Sequence, residues 1–195
     1  MDMYATISGK EFNNIYENSN FYKFLNNNFK HYGFKYRLGL NIDTNDFYPH
    51  DKCSKGGLYF TDDKNCEMYY YCYENYIAII EIPDDALVYK EDLKYKANKI
   101  IIKEIIHFNN NISRTTLKIF INGINYAKFN KSNNILLDIV KYDGNILECI
   151  YEQTHEICLE AVKQKSNALK SAKAQTYEIC AGIKAVLTKK LDNYI

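Results

Sequence analysis

A repeat with a period of 22 residues, near the carboxyl end of this 195-residue chain, most constrains how the chain can fold. Repeat units of this length are too small to bury their apolar side alone, so successive units stack against one another. The sequence therefore predicts a short helical array over residues 131–195, preceded by a separate domain. The residues that recur at this offset are Val140-Lys141, Asn145, Leu147, Gln153-Thr154 and Glu156-Ile157-Cys158, which return as Val162-Lys163, Asn167, Leu169, Gln175-Thr176 and Glu178-Ile179-Cys180.

The charge and hydropathy of the chain exclude several classes of partner. Its 25 basic and 24 acidic residues leave a net charge of +1, so no strong field draws it to nucleic acid. No apolar run reaches the roughly 20 residues that a membrane span needs, and the first residues form no apolar signal core. We therefore expect a soluble intracellular protein without a membrane partner, whose six cysteines stay reduced.

The region before the repeats alternates short apolar runs with turn residues. Residues 11–30 carry apolar side chains near helical spacing, which predicts one or two short helices, and Thr61 is suited to cap a further helix over residues 65–73. Strands are predicted over residues 34–38, 56–61, 76–82 and 99–106. The fold class is thus α+β, with a mixed or mainly β-sheet domain and short helices before the small all-α segment.

The polar stretch at residues 107–116, which contains three consecutive asparagines, marks the predicted domain boundary. We assign residues 1–110 to the α+β domain, residues 111–130 to a connecting segment and residues 131–195 to the repeats. Within the repeats, Thr154 is predicted to cap a helix over residues 155–163, and a second helix begins near residue 167. Cys158 and Cys180 hold equivalent repeat positions, where small buried side chains are expected.

Two groups of chemically versatile residues have plain interpretations. The Gly56-Gly57 pair is typical of a tight turn from a loop into a strand, although a ligand cradle also uses such glycines. The spacing of Cys53, Cys66, Cys72 and His50 fits no standard zinc knuckle, so we predict no metal site. No local feature prepares a thiolate, and we assign no catalytic residue.

Three segments of the first domain carry a resemblance to a known family: residues 31–41 (HYGFKYRLGLN), 53–61 (CSKGGLYFT) and 94–100 (KYKANKI). They resemble an N-terminal domain found in many giant-virus proteins of mimivirus type, where it precedes ankyrin or short helical repeats. Residues 153–163 (QTHEICLEAVK) are similar to one of those short-repeat families. The resemblance implies a virus-encoded protein in the host cytoplasm, the virus factory or the virion.

A second, shorter resemblance concerns the segment that begins Gly56-Gly57-Leu58-Tyr59-Phe60 and continues through a tyrosine-rich stretch into an apolar strand. This order is similar to the centre of the ADP-ribosyltransferase fold. In such a site a nicotinamide amide approaches bare glycine backbone and a tyrosine ring stacks on it. The residues that this resemblance implies as NAD ligands are His31, Arg37, Gly56, Gly57, Tyr59 and Tyr70.

A helical array is suited to presenting an extended surface to another protein. The leading hypothesis is therefore a non-catalytic, virus-encoded interaction protein that uses no cofactor and binds a host or viral protein. We expect the short array to pack on the first domain or to self-associate as a homo-oligomer. The alternatives are an ADP-ribosyltransferase-like domain that binds or consumes NAD, and a structural protein of the virion or virus factory.

Overall fold

A computed structural model describes residues 5–50, 53–69, 76–108, 114–129, 134–173, 176 and 179–181. The chain divides into two compact units, Met1–Ile106 and His107–Ile195. Helices combine with a large antiparallel sheet, which confirms the α+β class. In the ranges described, no helix has both the length and the hydropathy that crossing a bilayer requires.

The first unit holds most of the strands. Its elements are β1 (Thr6–Ser8), α1 (Gly9–Ile15), β2 (Phe21–Leu25), β3 (Lys30–His31), β4 (Phe34–Lys35), β5 (Gly39–Ile42), β6 (Leu58–Asp62), a 3₁₀ helix (Cys66–Met68), β7 (Tyr76–Glu81), β8 (Leu87–Glu91), β9 (Lys94–Ala97) and β10 (Lys99–His107). Eight strands form one sheet in the order β1-β8-β9-β6-β2-β7-β10-β5, and β3 pairs with β4 in a separate hairpin. β2 therefore lies near the middle of the sheet.

The prediction of helices across residues 11–30 is wrong for its second half. Only α1 is helical, and Ser8 caps it by accepting a hydrogen bond from Glu11 N at 3.2 Å. Residues 21–25 form β2, all five of which are buried, with Tyr22 paired to Thr61 of β6 and to Ile79 of β7. Aromatic side chains fit a buried pleated strand well, and pairing on both sides overrides their near-helical spacing.

The other predicted elements of this unit agree with the structure to different degrees. β7 and β10 match the strands predicted over residues 76–82 and 99–106, whereas residues 34–38 contain only the short β4. The helix predicted over residues 65–73 is a 3₁₀ turn at Cys66–Met68, and the part from residue 70 onward lies outside the described residues. β8 and β9 form a hairpin that no sequence pattern predicted, with Asp92 in the left-handed region (φ 42°) at its turn.

An aromatic cluster forms the centre of the first unit's core. Phe12 of α1 is fully buried, and its ring lies 4.9 Å from Phe21 of β2 and 5.3 Å from Tyr95 of β9. Phe60 of β6 stacks on Tyr95 at 5.4 Å. Ring pairs of this kind stabilise a fold by more than the apolar area that they bury. This cluster joins α1 to three strands of the sheet.

The second unit is built from short helices. They are α2 (Arg114–Phe129), α3 (Ile135–Tyr142), a 3₁₀ helix (Gly144–Cys149), α4 (His155–Gln164) and a 3₁₀ helix (Ser166–Ser171). Residues 111–130, expected to connect two domains, thus contain a 16-residue helix. Leu117, Phe120, Ile121 and Ile124 recur at helical spacing and are buried, which explains why this stretch packs as part of the unit.

Hydrogen bonds in the second unit recur at the spacing of the sequence repeat. Thr154 Oγ1 accepts from Ile157 N at 3.2 Å, and Thr176 Oγ1 accepts from Ile179 N at 3.4 Å. The two 3₁₀ helices begin 22 residues apart, at Gly144 and Ser166. The same local structure is therefore built twice at one offset.

Cys158 and Cys180, which hold equivalent positions in the sequence repeat, differ from expectation at one position. Cys158 is buried as predicted, and it packs with Ala161, Val162 and Ala168. Cys180 is exposed, so the expectation of a buried side chain is wrong there. Among the described residues, the 3₁₀ helix that follows α4 belongs to the same cluster as Cys158, and no equivalent element is described after Cys180.

Replacing Phe12 by alanine should destabilise the first unit by roughly 3–5 kcal/mol, because it removes a fully buried ring and leaves a cavity in the aromatic cluster. Hydrogen exchange of peptides from β6 and β7 should accelerate accordingly. Ile15 lies on the same helix and is 48% exposed, so Ile15→Ala serves as the control and should leave exchange almost unchanged. Equal effects of the two substitutions would contradict the assigned core.

Candidate functional site

The first unit contains a cavity of about 190 Å³, which we call the lysine cavity. Its walls come from two adjacent strands, from the β3–β4 turn, from the loop before β6 and from the start of β9. The lining residues are Tyr22, Lys23 and Phe24 of β2, Tyr59, Phe60 and Thr61 of β6, and His31, Tyr32, Cys53, Tyr69 and Lys94. Tyr32 and Cys53 are exposed, so they mark the side on which the cavity meets solvent.

The cavity lies where β2 and β6 separate. These strands pair at Phe21↔Asp62 and Tyr22↔Thr61, whereas β2 stays paired with β7 along its whole length, as far as Leu25↔Tyr76. After Tyr22, a side chain replaces the backbone pairing between these strands. Lys23 Nζ donates a hydrogen bond of 2.7 Å to the Tyr59 carbonyl oxygen. The Tyr59 carbonyl oxygen lies beyond the β2–β6 pairs, and the lysine supplies the hydrogen-bond donor that a buried backbone carbonyl requires.

Lys23 is a buried cation without a paired anion among the described residues. It is 4% exposed, and its Nζ also lies 4.5 Å from the centre of the Tyr36 ring. Burial, followed by repulsion from Lys94, lowers the pKa of Lys23 from 10.5 to about 7. Near neutral pH the amine is therefore divided between its charged and neutral forms.

Lys94 lines the same cavity in a different environment. Its Nζ donates a hydrogen bond of 2.9 Å to Cys53 Sγ, forms an ion pair of 3.0 Å with Glu91, and lies 4.4 Å from the centre of the Tyr59 ring. Burial alone would lower the pKa of Lys94, but the contacts with Cys53 and Glu91 raise it above its ordinary value. Lys94 therefore stays charged at neutral pH.

The rings of His31, Tyr32 and Tyr59 line another part of the cavity. The His31 ring lies 4.3 Å from the Tyr32 ring and 6.3 Å from the Tyr59 ring. Burial, and then the charges of Lys23 and Lys94, lower the pKa of His31 to about 3, so this imidazole is neutral at pH 7. Tyr32 and Cys53 both adopt left-handed backbone, with φ of 48° and 56°, a conformation that costs energy for residues with a side chain.

The structure brings together two of the six residues that sequence resemblance suggested. His31 and Tyr59 both line the lysine cavity. Gly57 donates its N–H to Asp43 Oδ2 at 2.6 Å and is closely packed on Lys96, where a Cβ would lie 2.6 Å from Cγ. The absence of a side chain at Gly57 thus leaves room for the Lys96 side chain.

The remaining suggested residues lie elsewhere. Gly56 has φ +82°, and a Cβ there would lie 2.5 Å from the Asp46 carbonyl oxygen, so its role is in the loop turn. Arg37 is exposed and lines a separate groove with Leu40 and Ile42. Tyr70 lies outside the described residues.

Sequence reasoning missed the two lysines that give the cavity its charge. A signal for Lys23 does exist, because it is the one charged residue within the otherwise apolar run of β2. No comparable signal marks Lys94, which reaches the cavity only through the β8–β9 hairpin. Within the described part of the chain, no group of three histidine, cysteine or acidic residues is placed to hold a metal ion.

A second feature, in the second unit, connects the turns before and after α4. Gln153 Nε2 donates to the carbonyl oxygens of Leu147 at 2.9 Å and Ser171 at 3.0 Å, and Gln153 Oε1 accepts from Lys173 N at 2.9 Å. One amide thus satisfies backbone groups on both sides of α4. Gln153 belongs to the Gln-Thr pair that recurs in the sequence as Gln175-Thr176.

Comparison of this chain with protein-family models, with curated proteins and with solved structures finds no match.

The stability of Lys23→Met relative to wild type should be higher at about pH 6 than at about pH 10. Below pH 7 both folded and unfolded wild type hold the proton, so the full cost of the buried charge applies. Between about pH 7 and pH 10.5 the unfolded chain binds more protons, so wild-type stability rises with pH and the stability of the variant relative to wild type falls by a few kcal/mol. Urea unfolding of both proteins across this range measures the difference.

The matched control is Lys103→Met, since Lys103 is more than half exposed and pairs with Glu81 at the surface. Its difference from wild type should stay nearly constant between those pH values. A pH-independent difference for Lys23→Met would contradict the lowered pKa.

Gln153→Leu should destabilise α4 and the 3₁₀ helix after it by roughly 2–4 kcal/mol, because several buried backbone groups lose their partner together. Hydrogen exchange of peptides from residues 155–171 measures this loss. Glu152→Leu, at the exposed neighbouring position, introduces the same side chain without removing those bonds. If both variants exchange at the wild-type rate, Gln153 does not join the repeats energetically.

Proposed function

We propose that this protein is a non-catalytic, virus-encoded interaction protein whose second unit is a helical repeat array that binds a host or viral protein. What supports the array is the recurrence of the same capping and turn geometry at 22 residues, at Thr154 and Thr176 and in the two 3₁₀ helices. Stacked units of this kind present repeated positions along one surface, which suits them to protein binding.

The second unit exposes aromatic side chains that are suited to such contacts. Tyr126 of α2 and Tyr142 of α3 are 46% and 42% exposed, and their rings lie 5.3 Å apart. Tyrosine is enriched at the centre of protein interfaces, because it buries a large rigid area and keeps a hydroxyl for hydrogen bonding. We assign this tyrosine pair to the partner-binding surface.

Viral origin is supported by the resemblance of residues 31–41, 53–61 and 94–100 to the giant-virus domain. On this proposal the protein acts in the host cytoplasm or virus factory. A structural role in the virion is an alternative that uses the same surface, and mass spectrometry of purified particles distinguishes the two.

An NAD-binding site of ADP-ribosyltransferase type is the second candidate. The observation that favours it is the meeting of His31 and Tyr59 in one cavity. The volume of about 190 Å³ suits a single ring such as nicotinamide, whereas Gly57 N already donates to Asp43. The interaction protein is therefore our leading proposal.

Replacing Tyr126 and Tyr142 together by alanine should reduce recovery of the partner by roughly tenfold or more, since exposed aromatic anchors carry much of the binding energy of an interface. Affinity purification of the tagged full-length protein from infected cells, with quantitative mass spectrometry, measures this recovery. Tyr48→Ala is the control, because Tyr48 is a similarly exposed tyrosine (49%) of the first unit. Identical protein profiles for wild type and the double variant would refute this surface.

A further inference from the structure

The described groups around the lysine cavity leave one positive charge uncompensated when both lysines are protonated. Lys23 and Lys94 both line it, and Glu91 is the one described carboxylate that pairs with either of them. His31 adds no charge at pH 7. The two ammonium groups are close enough for Lys94 to disfavour the charged form of Lys23. A monoanion between them would therefore remove a repulsion that the protein alone leaves in place.

A second buried lysine of the same unit, Lys96, provides a comparison, because its hydrogen bonds indicate a purely structural role. Lys96 Nζ donates to three oxygens, those of Tyr48 (2.6 Å), Ser54 Oγ (2.9 Å) and Lys55 (3.2 Å). All three of its protons are thus used to hold the loop before β6. Buried ammonium groups are normally satisfied in this way.

Lys23 lacks that complement of acceptors. Among the described residues, its one hydrogen bond goes to the Tyr59 carbonyl oxygen, and its Nζ also lies over the face of the Tyr36 ring. A protonated Lys23 therefore has donor capacity left over, in a side chain that is 4% exposed and lines a cavity. Such a group is expected to have a ligand partner, because leaving it unsatisfied is costly.

The size and walls of the cavity limit the ligand further. An apolar cavity of about 150 Å³ accommodates one benzene ring, so about 190 Å³ fits a single ring with a small substituent. Phe24, Tyr59 and Tyr69 are among the lining residues, and aromatic rings are surfaces on which a flat ligand can pack. A dianion such as phosphate would bring more negative charge than the one uncompensated lysine requires.

We propose that the lysine cavity binds a small single-ring aromatic carboxylate, with its carboxylate between Lys23 and Lys94 and its ring against the tyrosine and phenylalanine walls. This ligand class differs from NAD in charge and size, and the inference does not depend on the proposed protein-binding role of the second unit.

The test compares 4-fluorobenzoate with 4-fluorobenzamide, which share shape and differ in charge. Titrations of the full-length protein followed by fluorine NMR should show saturable binding of the carboxylate, and binding weaker by roughly 10- to 100-fold for the amide, as expected for loss of a charge-assisted hydrogen bond. Lys23→Met should weaken carboxylate binding by a similar factor. Lys103→Met, which removes one surface charge, should leave it unchanged.

Thiol alkylation locates the bound ligand. Cys53 lines the cavity and is exposed, and Cys180 of the second unit is also exposed. Saturating benzoate should slow iodoacetamide labelling of Cys53, read by peptide mass spectrometry, and leave Cys180 labelling unchanged.

Three results would overturn the proposal. They are no saturable binding of the carboxylate at millimolar concentration, equal affinity for carboxylate and amide, and binding that survives Lys23→Met without protection of Cys53. Binding of nicotinamide or NAD in preference to nicotinate would also reject it, and would support the ADP-ribosyltransferase-type alternative. Urea unfolding of Lys23→Met shows whether the variant is folded, so loss of binding by a folded variant is not a consequence of unfolding.

Discussion

The position of β2 between β6 and β7 is the constraint on which the first unit depends. A five-residue strand, Phe21–Leu25, is buried along its whole length and carries Lys23 at its centre. Burial of an ammonium group is costly, and two compensations are visible: a hydrogen bond to the Tyr59 carbonyl oxygen and the face of Tyr36. The hydrogen bond joins β2 to β6 at the point where the two strands diverge. Lys23 therefore both links these strands and lines the cavity.

The second unit depends on a different kind of interaction. Its helices are short, between eight and sixteen residues for α2 to α4, and helices of this length need packing and capping to persist. Thr154 caps α4, while Gln153 joins the turns on either side of it. Polar side chains at fixed repeat positions therefore satisfy the backbone groups that short helices leave open at their ends.

The local sequence pattern predicted those elements whose spacing of apolar residues is typical of only one type of secondary structure. β7, β10 and α4 were found close to their predicted bounds, because a run of β-branched residues or a capped amphipathic segment has one favourable conformation. Residues 21–25 were predicted as helix because their aromatic spacing is ambiguous and their pairing partners are distant in sequence, as with Leu25 and Tyr76. The β8–β9 hairpin was missed for lack of a glycine-containing turn, since Asp92 takes the left-handed position.

The sequence by itself determined the class of the fold, the 22-residue spacing of its repeat and the Thr154 cap of α4, because each of these can be read from the pattern of residue types along the chain. Only the tertiary structure decided which residues share a site. Lys23, Cys53 and Lys94 lie far apart in the chain and meet because the order β9-β6-β2 places their elements side by side. Charge repulsion and burial in that cavity arise from long-range contacts, which periodicity in a single sequence does not encode.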